Sequence, residues 1–113
     1  MLYDKLKSKK SFISLRKKGG SYVAPAFVIL VTKTNNDSEK LKVGFTASKK
    51  IGNAVMRAKS RRRLRAAFQE ISPEIIYSFA GFEFNIIARY KSLIVDFEKL
   101  VFYFEKILNN IKK

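Results

Sequence analysis

Between Ser48 and Arg65 the chain reads SKKIGNAVMRAKSRRRLR, with eight Lys or Arg in eighteen positions and no acidic residue. A solvated helix face normally mixes signs, because opposite charges at i,i+4 support the helix and like charges weaken it. A run of one sign therefore carries self-repulsion that an anionic partner removes. Arg takes phosphate oxygens in pairs and Lys supplies a point charge. The chemistry these residues suit is the neutralisation of a phosphate backbone.

Bond cleavage by this chain is a different matter. There is no His and no Cys, so the commonest general base and the thiol nucleophile are both missing. A two-metal nuclease needs several carboxylates converging on one point. The nine acids instead avoid the basic run, and the closest pairs, Asp37/Glu39 and Asp96/Glu98, suit solvation and helix-start charge. Catalysis is expected in a partner, with no catalytic residue and no metal ligand here.

Charge is unevenly spread over the 113 residues, whose formal net charge is +15. Glu39 and Glu70 enclose ten bases and no acid, whereas from Ile71 onward six bases meet five acids. Such clustering, with a pI near 10.2, is an electrostatic footprint of nucleic-acid binding. A polybasic membrane patch would bring a lipidation site or an exposed apolar face, and neither is visible. The absence of Cys, of a long apolar run and of a signal-peptide core predicts a reduced, cytoplasmic, soluble protein.

The elements that must position the cations follow from periodicity. With 47% apolar residues and no repeat, residues 1–113 read as a single domain. Ser8 or Ser11 is placed to cap a first helix running to about Lys18 and stopping at Gly19-Gly20. A buried strand is expected over Ala26 to Thr32. A second, LKVGFTAS, alternates from Leu41 to Ser48 and is most simply hairpin-paired to the first.

Asn53 is a plausible N-cap for the basic helix, which ends by Ser72 because Pro73 disfavours helical geometry before it. Ser72-Pro73 starts a short helical turn closing near Gly81. A strand follows from Phe82 to Tyr90. Phe97, Leu100, Val101, Phe104, Leu108 and Ile111 then form the core stripe of a last helix. Helices on a small sheet make an α+β two-layer sandwich.

On the basic helix, Met56, Ser60, Leu64, Ala67, Phe68 and Ile71 gather on one side at 100° per residue, taken from about 3.6 residues per turn. Ala58, Arg62, Arg65 and Gln69 lie nearly opposite, flanked by Lys59 and Arg61. Arg57 and Arg63 sit at the edges of the apolar stripe, and Lys49 and Lys50 precede a helix N-terminus that favours anions.

The segment KVGFTASKKIGNAVMRAKSRRRLRAAF closely resembles the signature of the bacterial ribonuclease P protein subunit. The match extends to DKLK and SF upstream, to FNIIAR and to the final helix. The resemblance implies the element order αβββαβα with a left-handed crossover, and a protein that binds a catalytic RNA and helps it remove the 5′ leader of precursor tRNA. It also implies Mg²⁺ bound mainly by the RNA, and neither a membrane nor a small-molecule substrate. The family motif Arg-Asn-Arg stands here as Arg57-Ala58-Lys59. Arg61, Arg62 and Arg65 fall on its following basic positions, and Lys49, Lys50, Gly52 and Asn53 match its preceding loop.

For the leader the resemblance implies a cleft between the first helix and the sheet, using Phe12, Arg16 and Leu30. Arg16 and Leu30 stand where the family has aromatic residues; Arg16 can stack by its guanidinium or hold a phosphate. Phe12 suits either core or platform, Phe27 and Phe45 suit core, and Arg89 suits either an ion pair or an RNA contact. A structural ribosomal or other rRNA-binding protein would share the charge and layers. A DNA-architectural protein would need a groove-reading helix or wedge, which the sequence does not show.

Overall fold

The alternation around Val43 and the apolar run around Ile29 both become strands, but they do not pair with each other. A computed structural model of the chain describes residues 2–6, 20–33 and 40–111. Its strands are β1 (Asp4–Lys5), β2 (Gly20–Val23), β3 (Phe27–Lys33), β4 (Lys42–Thr46) and β5 (Phe82–Ala88). The helices are α1 (Ala54–Phe68), α2 (Pro73–Tyr77) and α3 (Phe97–Asn110), with 3-10 turns at Lys49–Ile51 and Tyr90–Leu93. The helix expected between Ser8 and Lys18 lies outside the described residues.

The sheet order is β1-β4-β5-β3-β2. β4 runs parallel to both β1 and β5, while β3 is antiparallel to β5 and to β2. The expected hairpin between β3 and β4 is therefore wrong: β5 lies between them. The reason is burial. β5 has five of its seven residues buried, four of them (Phe82, Phe84, Ile86 and Ala88) on the face under the helices and Asn85 on the other, so it takes the centre while the half-buried β4 moves outward. Adjacent parallel strands need a crossover, and α1 and α2 supply it between β4 and β5. The short strands β1 and β2 carry little periodicity of their own; β2 is nevertheless the first of the three strands that the resemblance implies before the basic helix, whereas β1 was not expected.

One face of the sheet carries Phe27, Ile29 and Val31 of β3, Val43 and Phe45 of β4, and Phe84 and Ile86 of β5, as the cross-strand register dictates. The aromatic rings join it to the helices. Phe27 stacks on Phe104 at 4.2 Å, and Phe68 meets Phe104, Tyr3 and Phe45 edge-on at 5.4, 5.2 and 6.1 Å. Removing a buried ring with this many partners costs about 3–5 kcal/mol, so Phe68 fixes how α1 sits on the sheet. Phe27 is core as expected. Phe45 is only half-buried, because it lies at the margin of the layer. In α3 the buried residues are Leu100, Phe104, Ile107 and Leu108. Val101 is half-buried against that core, whereas Phe97, placed in the stripe by periodicity, reaches solvent instead.

Candidate nucleic-acid interface

The chain enters α1 through a tightly specified turn. Ser48 Oγ accepts from the Lys50 N–H at 3.3 Å, Gly52 follows at φ 139°, and Asn53 Oδ1 accepts from the Met56 N–H at 2.9 Å. A Cβ on Gly52 would lie 2.6 Å from Met56 Sδ. The positive φ is what calls for glycine there, since the flexible end of Met56 can shift to make room. The turn leaves Lys49 and Lys50 exposed just ahead of the helix N-terminus, where free N–H groups and the dipole add to the positive potential. Asn53 is thus the N-cap the sequence indicates.

Around α1 the cations divide by role. Ser60, on the dry side, is fully buried and pairs its hydroxyl with that of Ser92, which satisfies both groups. Arg63 donates from Nη1 to the Ser92 carbonyl and from Nη2 to the Val95 carbonyl at 2.6 Å. It pins the Tyr90–Leu93 turn to α1. Arg57, Arg61 and Arg65 succeed one another at i,i+4 along the flank facing β4, since residues four apart share a helix face. Ala58 and Arg62 lie outermost, and Lys59 is exposed on the other flank.

Among the described residues the side chains of Lys49, Lys50, Arg57, Lys59, Arg61 and Arg62 have no hydrogen bond or ion pair. Arg65 meets only an aromatic face, its guanidinium lying 5.3 Å from the Phe45 ring centroid. Uncompensated cations held on one rigid helix form an anion-binding surface.

Leu30, one of the residues assigned to the leader, does not join this surface. Leu30 is half-buried on β3, opposite Ser21 and Asn85. By strand alternation it lies on the sheet face turned away from α1, with Thr32 and Asn85; Asn85 Oδ1 accepts from the Thr46 hydroxyl at 2.8 Å. Phe12 and Arg16 lie outside the described residues. Arg89 donates from Nη1 to the Ala24 carbonyl at 3.1 Å, and its N–H bonds the Ala26 carbonyl. Those bonds tie the end of β5 to the β2–β3 turn.

Tyr3 and Lys5, beside the interface, escaped the sequence reading, and Phe45, read there only as core, joins them. They share a cleft of about 330 Å³ with Val43, Gly44, Arg61 and Arg65. A two-residue strand leaves no periodic signal, so only its pairing with β4 brings Lys5 across from α1. Among the described residues no three His, Asp or Glu side chains come together as a metal site would need.

The layers and the cationic helix together define a small, basic α+β protein of the RNA-binding kind. The ribonuclease P family model matches residues 3–112, and the chain belongs to that family. It is 33% identical over 93 residues to the ribonuclease P protein component of Paramagnetospirillum magneticum, covering 80% of this chain and 68% of that one. Against the component of Nitratiruptor it is 31% identical over 108 residues, covering 96% and 92%. The ribonuclease P protein of Thermotoga maritima superposes with a TM-score of 0.79 at 25% identity, covering 97% and 99%. That of Staphylococcus aureus gives 0.71 at 25% identity, covering 93% and 92%. The chain is accordingly a protein subunit of ribonuclease P, the endoribonuclease of tRNA processing.

Proposed function

We propose that residues 1–113 form one RNA-binding domain that docks on the catalytic RNA through Lys49, Lys50, Asn53 and the cationic side of α1. The same domain holds the 5′ leader of precursor tRNA against the sheet face bearing Leu30. One observation carries the reading: a row of cations with no acidic partner among the described residues, on a helix whose opposite side is locked into the core. The two proposed RNA contacts lie on opposite faces of the sheet, so one small protein bridges enzyme RNA and substrate.

The mechanism is electrostatic. Cations between two RNAs lower phosphate repulsion, orient the leader and raise the affinity of the complex. Bond cleavage belongs to the RNA, because the chain has no His or Cys and no acid in the basic run from Ser48 to Arg65. Mg²⁺ is assigned to the RNA for the same reason of donor chemistry. The compartment is the cytoplasm; no described helix is long and apolar enough to cross a membrane.

The salt dependence of binding to the catalytic RNA tests the docking face. Log affinity falls linearly with log salt, by about 0.7–0.9 per phosphate contacted. Arg57→Ala, Arg62→Ala and Arg65→Ala should each flatten that slope by about one contact. An unchanged slope in all three variants removes the docking face.

A further inference from the structure

The cleft between α1 and the β1–β4 edge combines features that the rest of the cationic face lacks. Its lining includes three cations, Lys5, Arg61 and Arg65, and no acid. Lys5 comes from β1, whose register sets it beside Val43, on the face of the sheet that meets α1. Asp4, its neighbour, alternates to the opposite face. The floor is aromatic: Phe45 is half-buried, is braced edge-on by Phe68 at 6.1 Å, and carries the Arg65 guanidinium 5.3 Å above its ring. Tyr3 completes the wall, and its buried hydroxyl has no hydrogen-bond partner among the described residues.

We infer that this cleft grips one unpaired RNA nucleotide. The phosphate lies between Lys5 and Arg61, which approach from the sheet edge and from the helix. The base stacks on the outer side of the Arg65 guanidinium, whose inner side rests on Phe45. Single-stranded RNA is recognised in this manner, by bases stacked on aromatic or guanidinium planes beside backbone cations. Pre-seating Arg65 on Phe45 lowers the entropy lost when the base arrives. The Arg57–Arg61–Arg65 row, stepping about 6 Å per residue pair along the axis at 1.5 Å rise, leads a strand from the helix into the cleft.

The inference rests on the docking reading above, and the two fail separately in one experiment. The chain contains no Cys, so Lys5→Cys and Arg62→Cys each offer one labelling site for a photoactivatable aryl azide. In holoenzyme reconstituted from the full chain, catalytic RNA and precursor tRNA, both positions should crosslink RNA. Position 5 should mark an unpaired nucleotide; whether it belongs to the catalytic RNA or to the leader identifies the source. Lys5→Gln should flatten the salt slope by about 0.7–0.9. Phe45→Leu, which keeps an apolar contact with Phe68, should weaken binding roughly fivefold or more with an unchanged melting profile. Crosslinking from position 62 but not from position 5 overturns the cleft and leaves the docking helix standing. A crosslink to paired RNA, or an unchanged slope in Lys5→Gln, overturns it too. Silence at both positions removes the docking reading together with the cleft.

Discussion

Arg63 donates from Nη1 to the backbone oxygen of Ser92, across 29 residues of chain. Its predecessor, Arg62, touches no partner among the described residues. Two adjacent arginines in one basic run thus have opposite roles, and the difference is measurable. Arg63→Ala should lower stability by about 1.5–3 kcal/mol, the range for hydrogen bonds to charged groups, because two carbonyls lose their donor. Arg62→Ala should stay within about 0.5 kcal/mol in stability while reducing the salt slope of RNA binding. Denaturant melts paired with binding titrations check both, and equal stability of the two variants refutes the division.

Gly52→Ala should destabilise the protein by about 1–3 kcal/mol, the usual range for a strained backbone position. The φ of 139° is the main cause, and the 2.6 Å approach to the flexible end of Met56 adds a smaller one. Met56→Ala in the same chain relieves the clash but not the dihedral. Rescue should therefore be partial, and complete recovery of Tm in the double variant would show that the backbone conformation is unimportant.

Asn53 caps α1 and also belongs to the proposed RNA contact. Asn53→Ala should cost about 1 kcal/mol as a lost cap. Asn53→Asp keeps a capping oxygen and favours the helix dipole, yet places a negative charge where phosphate is proposed to lie. Its stability should match the parent while its RNA affinity falls. If affinity follows stability across both variants, Asn53 acts only as a cap.

Ala58 is exposed in the cationic face, at the position where the family motif carries Asn. Ala favours the helix over Asn by roughly 0.5–0.7 kcal/mol, whereas a hydrogen bond to a charged group contributes about 1.5–3 kcal/mol. Ala58→Asn should lower Tm slightly and tighten binding to the catalytic RNA by about 1 kcal/mol. Lys59→Arg should add less than its full effect, because both positions share one surface. Affinities of the single and double variants decide it; no gain from Ala58→Asn means that the RNA has no group within reach of the amide.

What the sequence determined by itself was local and periodic. Helical spacing separated Ser60, Leu64 and Phe68 from Ala58 and Arg62, because a 3.6-residue period maps directly onto a face. The N-cap at Asn53, the break before Pro73, the short helix after it and the strand around Ile86 are likewise set by neighbouring residues. The family followed from a long spaced motif. Tertiary structure decided the rest. Strand order was illegible because β3 and β4 are both apolar enough to pair directly, and only the deeper burial of β5 sends it between them. The role of Arg63 depends on carbonyls 29 and 32 residues away, and the cleft at Lys5 depends on a two-residue strand finding β4. Contacts between distant segments arise when a shared core closes the loops between them. No local pattern in a chain encodes which distant group a side chain will meet.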